Sequence, residues 1–269
     1  MHAQLTVAER RGFVGRHPVA TYFLITFAIS WTGALLVALP RLLRHEALPQ
    51  LTGILMFPAM LLGPSVSGIV VTWLVAGRAG VHDLLARMAR WRVGRWYAAL
   101  LIPPVLVLAV LTLLANFVSG AFAPNFFWTG VLFGIPAGLL EEIGWSGFAF
   151  PHLRTRLGGL RAALLLGVLW TVWHLPVINW LGTVTPRGRY WWPFFLAFGF
   201  AMVAMRVLIC WLYSKTGSVL LTQLMHVSST GALVVFSAPR VDGLSEVTWY
   251  LAYGAVLWGL VGAGLRPRE

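Results

Sequence analysis

The feature that most constrains this chain is a succession of eight apolar runs, each close to the roughly 20 residues that a helix needs to cross a bilayer. They cover roughly residues 21–39, 51–76, 97–120, 128–149, 162–182, 191–213, 218–238 and 247–265. In hydrocarbon every backbone N–H and C=O must find a partner within the protein, so repeated runs of this length predict helices and exclude open sheets. With 59% hydrophobic residues in a chain of 269 and a mean hydropathy of +0.80, no room remains for a separate soluble domain. The expectation is an all-α polytopic membrane protein with about eight transmembrane helices, a single integral membrane domain over residues 1–269.

A formal net charge of +12 would suit a nucleic-acid binder, but the Lys and Arg residues lie in short loops between the apolar runs. No nucleic-acid partner is expected. Alternate loops are richer in Lys and Arg, and the richer set includes both termini, which places both in the cytoplasm of a multi-pass cell-membrane protein. Arg10, Arg11 and Arg16 precede the first run and no small-residue cleavage site follows it, so a retained anchor is expected there, not a cleaved signal peptide. The single cysteine, Cys210, forms no intrachain disulfide. The loop "GVHDLLARMARWRVGR" repeats apolar residues at helical spacing, with Asp83, Arg87 and Arg90 on the other face. A short amphipathic helix over roughly 79–92, lying on the anionic leaflet, is expected. Gly63 with Pro64, the pair Pro103 and Pro104, and Pro136 should kink or unwind their spans.

Five ionisable residues lie away from the span ends: Glu141, Glu142, His174, Arg206 and His226. A charge at mid-bilayer costs about 2.5–3.5 kcal/mol on insertion scales, so such groups face the protein interior and have a partner there. Counting a rise of about 1.5 Å per residue from the cytoplasmic span ends puts Glu141 and His226 roughly 12 Å deep and His174 roughly 18 Å deep. One carboxylate with two imidazoles has two chemical uses. The carboxylate can act as general base on a water while the imidazoles move protons or stabilise an oxyanion. Alternatively, Glu141, His174 and His226 ligate a divalent metal such as zinc, with Glu142 as base.

Three short motifs run in order through this region: "EEIGWSGF" at Glu141 to Phe148, "WTVWHLP" with Trp170 and His174, and "HVSST" with His226 and Thr230. In order, spacing and placement on separate spans they resemble the CAAX protease and bacteriocin-processing (CPBP, or Abi) family of intramembrane proteases, which includes the type II CAAX prenyl endopeptidases. The resemblance covers roughly residues 128–235. It implies an eight-helix fold around a conical intramembrane cavity, and hydrolysis of a membrane-associated or hydrophobic peptide. By the same analogy Glu141 activates water with help from His174, while His226 and Thr230 stabilise the oxyanion. Bacterial members of the family are often linked to bacteriocin maturation or immunity. Both a metalloprotease and a metal-free glutamate mechanism are implied, so the cofactor stays open between a divalent metal and none.

Two positions depart from the family pattern. The family has an Arg after three residues beyond the Glu pair, and here it is Ser146; the family's Asn or Asp is Thr230. Positions 142 and 146 share a helix face, so the missing Arg would have paired with Glu142. Arg206 lies at the same depth as Glu142, roughly 10 Å, and is expected to pair with it across the bundle unless it snorkels to the headgroups. The substitutions leave a second reading open, a catalytically impaired homologue acting as scaffold or immunity factor. Buried carboxylates would also serve a proton-coupled transporter, although no internal repeat is present.

Overall fold

The computed structural model describes residues 12–181, 187–237 and 242–267. Arg10, Arg11 and the expected span ends at 182 and 238 lie outside them. The described residues form helices and no strands: α1 (Phe13–Arg16), α2 (Pro18–Leu42), α3 (Gln50–Met88), α4 (Ile102–Phe117), α5 (Val131–Gly144), α6 (Phe150–Leu157), α7 (Gly159–Trp173), α8 (Leu175–Leu181), α9 (Trp191–Thr216), α10 (Val219–Phe236) and α11 (Gly243–Gly262). Among the described residues, five stretches are long and apolar enough to cross a membrane: Pro18–Leu42, Leu51–Met88, Gly94–Phe117, Gly188–Thr216 and Val219–Phe236. The chain is an all-α multi-pass membrane protein.

The runs expected at 128–149 and 162–182 are not single rods. The first passes from α5 through a π-helix, Trp145–Ala149, into α6. The second breaks at His174, where α7 ends and α8 begins. Pro176 follows at the second position of α8, and a proline there has no N–H to return to the preceding turn. Helical backbone continues through Pro58, Pro64 and Pro136, where kinks were expected for the latter two; in α3 the break falls at Gly77, with φ +61°. Pro103 and Pro104 open α4, after a 3-10 stretch over Gly94–Leu101, where a missing N–H costs least.

A proline leaves the carbonyl four residues back without its donor, and in three places a side chain from another helix supplies one. Pro64 frees the Met60 carbonyl, which accepts the Ser30 hydroxyl at 2.8 Å. Pro104 frees the Leu100 carbonyl, which accepts Ser228 at 2.6 Å. Pro151 frees the Gly147 carbonyl, which accepts Arg87 Nη1 at 2.8 Å. These bonds tie α2 to α3, α10 to the stretch that leads into α4, and the π-helix to the C-terminal end of α3.

The expected amphipathic segment is helical over most of its range and also packs on the bundle. Residues 79–88 are helical, but they continue α3 beyond Gly77 and dock on the bundle. Leu84 is buried, a Cβ on Gly147 would lie 2.6 Å from it, and Arg87 bonds both the Gly147 carbonyl and the Tyr213 hydroxyl. Lipid contact alone would not order these partners.

Helix α5 meets α10 at close range. A Cβ on Gly134 would lie 2.7 Å from the Gly231 nitrogen, and one on Gly138 would lie 2.5 Å from the Val227 nitrogen. Small residues four apart let membrane helices approach to backbone contact. Positions 134, 138 and 142 share one face, so the same crossing aims Glu142 at α10 one turn further on.

Candidate active site

Glu142 is fully buried and has three partners on three elements. Arg206 Nη1, from α9, lies 2.8 Å and 2.9 Å from its two carboxylate oxygens. His226 Nδ1, from α10, lies 2.8 Å from Oε1, and the Ser146 hydroxyl donates to Oε2 from the π-helix. Arg206 thus supplies from another helix the cation that position 146 lacks, and it does not snorkel. Its Nε and Nη2 have no hydrogen-bond partner among the described residues, but its guanidinium carbon stands 4.1 Å over the Trp170 ring centre.

Glu141, on the neighbouring face, is held differently. Its Oε2 accepts the indole N–H of Trp145 at 3.1 Å and that of Trp170 at 2.9 Å. Both bonds fall on one oxygen. The His174 ring stands 5.0 Å from the Trp170 ring and the His226 ring 5.3 Å from it, both edge to face. One indole therefore touches Glu141 through its N–H, both histidines in edge-to-face contacts and Arg206 through a face. Trp170 is the geometric centre of the cluster.

The tautomers follow from the partners. His174 Nδ1 lies 2.7 Å from the Trp170 carbonyl, which can only accept, so Nδ1 carries the proton and Nε2 is free. A bond from His226 Nδ1 to the Glu142 carboxylate likewise leaves His226 Nε2 for the site. Burial grades the cluster: Glu142, Arg206 and Ser146 are wholly enclosed, Glu141 and His226 are buried, and His174 is half-buried. The enclosed groups orient the others, and His174 marks the side open to a substrate.

Thr230 follows His226 by one turn of α10 and is half-buried; among the described residues no hydrogen bond joins it to the cluster. Glu141, His174 and His226 do not form a metal-holding group either: no set of three or more His, Cys, Asp or Glu among the described residues is so placed. Oε2 of Glu141 is already occupied by two indole donors, which crowd one side of that carboxylate. The present arrangement does not fit a metal ion, and no step below runs through one.

Residues 123–231 match the family model described as type II CAAX prenyl endopeptidase Rce1-like. The chain is similar to the type II CAAX prenyl endopeptidases. A CAAX prenyl protease 2 from Methanococcus maripaludis is 30% identical over 139 residues, which is 47% of this chain and 51% of that protein. The chain thus spans about half the length of the curated relative it matches. The matched segment holds Glu141, Glu142, Ser146, Trp170, His174, Arg206, His226 and Thr230.

Sequence reasoning did not single out Trp145. Its signal was available, since it stands four residues after Glu141 and so one turn along the same face. The π-helix that follows was not legible, although such bulges recur at functional sites.

Proposed function

We propose that this chain is a membrane-embedded endopeptidase that cleaves near the C-terminus of a prenylated, CAAX-type peptide. The observation that carries this reading is the gathering of Glu141, His174 and His226 around Trp170. Water attacks the scissile carbonyl carbon and gives its proton to Glu141 Oε1. His174 Nε2, fixed by the Nδ1 bond to the Trp170 carbonyl, holds the attacking water in line. His226, anchored by Glu142 through Nδ1, turns Nε2 to the oxyanion. Collapse of the intermediate breaks the C–N bond, and the proton held by Glu141 passes to the leaving nitrogen. A carboxylate end and a free amine result.

Arg206 bears on the choice between active and impaired enzyme. Ser146 leaves no gap in the charge around Glu142, because the guanidinium arrives from α9, and this favours activity over a scaffold or immunity role. Loop charge orients the termini to the cytoplasm, where prenylated C-termini are presented. The test uses full-length protein in detergent and a farnesylated, internally quenched CAAX peptide. Glu141→Gln and His174→Ala should each lower kcat by about 10²–10⁴-fold, the size of a general acid–base contribution. Turnover that survives both substitutions ends the assignment.

A further inference from the structure

A carboxylate that works as general base needs one oxygen free and aimed, and the other oxygen held. Glu141 has two N–H donors on Oε2 and none on Oε1 among the described residues. The two donors differ in origin. Trp145 comes from the π-helix on the same span, and Trp170 from α7 across the bundle. Both rings are fixed in turn: Trp145 is fully buried, with edge contacts to Tyr22 at 5.7 Å and Trp173 at 5.7 Å, and Trp170 lies under the Arg206 guanidinium. A cation on the face of an indole draws electron density from the ring and strengthens its N–H as a donor.

We propose that Trp145 and Trp170 are positioning residues that clamp Oε2 of Glu141 and so assign Oε1 to the water. This rests on the reading of Glu141 as general base. An aromatic ring alone does not account for the arrangement, because phenylalanine would pack as well and could not donate. Residues 141 and 145 are joined by a regular α-turn, in which the Trp145 backbone N–H returns to the Glu141 carbonyl, so the indole stands one turn along from the carboxylate on the same face. Each N–H on an ionised oxygen is a charge-assisted bond in a dry setting, and such bonds are stronger and more directional than neutral ones.

The experiment compares three Trp→Phe variants of full-length protein with the farnesylated quenched peptide as probe. Trp145→Phe and Trp170→Phe should each lower kcat by about 10- to 100-fold with KM changed less than about threefold, the loss expected for one hydrogen bond to a charged group. Trp191→Phe is the control. Its indole N–H is also buried with no partner among the described residues, and its ring packs on Trp192 at 4.8 Å and Phe195 at 5.5 Å and not on the clamp, so kcat should stay within about threefold. Equal losses in all three variants, or a rise in KM alone, overturn the proposal as mere packing. A second arm does not need turnover. In protein labelled with 15N at the indole nitrogens, Glu141→Ala should move two N–H resonances upfield, those that vanish in Trp145→Phe and Trp170→Phe. If neither moves, the clamp does not exist in solution. Wild-type protein that shows the two shifted resonances but cleaves nothing upholds the clamp and overturns the peptidase reading instead; Glu141→Gln with undiminished kcat does the same.

Discussion

Arg206→Met isolates the cost of an unpaired charge at the centre of the bundle. In the native chain Arg206 and Glu142 are both wholly enclosed, with contacts of 2.8 Å and 2.9 Å from a single nitrogen to the two carboxylate oxygens. Methionine fills most of the same space and removes the cation. Glu142 keeps His226 and Ser146, but breaking one partner out of a buried pair costs about 3–5 kcal/mol because the other charge is left uncompensated. Little of that is returned by removing Nε and Nη2, which have no hydrogen-bond partner among the described residues but belong to a guanidinium lying over the Trp170 ring. The net expectation is a loss of roughly 3–5 kcal/mol. Reversible unfolding in sodium dodecyl sulfate, followed by far-ultraviolet circular dichroism, measures it. The double change Glu142→Met with Arg206→Met removes both charges together and should recover most of the loss, as apolar replacements of buried pairs do. A single-variant loss below about 1 kcal/mol, the worth of an exposed pair, would refute the reasoning. So would a double variant no more stable than the single one.

Two further expectations concern how the site is framed. Gly138→Ala would push a methyl within 2.5 Å of the Val227 nitrogen and 2.6 Å of the Gln223 carbonyl, both backbone atoms of α10 that cannot yield cheaply. The same unfolding assay should show a loss of about 1–3 kcal/mol, with the separation of α5 from α10 also lowering turnover by loosening Glu142 from His226. At the start of α11, Asp242 Oδ1 accepts the Ser245 N–H at 2.9 Å, and that bond holds its carboxyl below the usual carboxylate range. A depressed folded pKa means that the cap's support is present above the unfolded value and is lost as pH falls through the folded one. Hydrogen exchange at Ser245 should therefore be protected at neutral pH and lose protection in acid, and Asp242→Ala should remove the protection at neutral pH and with it the dependence on pH.

The positions of buried polar groups were legible in the chain because hydrocarbon makes each of them costly. That physics is one-dimensional: depth along a span can be counted from its ends, and Glu141, Glu142, His174, Arg206 and His226 stood out by that count alone. The pairing of Arg206 with Glu142 followed from equal depth. Amphipathic spacing likewise marked the helix at 79–88, yet not where it docks, because the buried Leu84 and the Arg87 bond to Gly147 depend on a carbonyl freed by Pro151 on another segment.

Sequence by itself settled that the chain is helical, that it crosses the membrane several times, and which side chains needed company there. Apart from the pairing of Arg206 with Glu142, tertiary structure alone decided which company each one keeps. His226 turns to Glu142 and not to Thr230, two indoles take one oxygen of Glu141, and the helices at 128–157 and 159–181 break into shorter pieces at the π-helix and at His174. The reason is that crossing distance and helix phase are set by contacts between segments far apart in the chain, such as Gly134 and Gly138 against α10. No count along a single span contains that information.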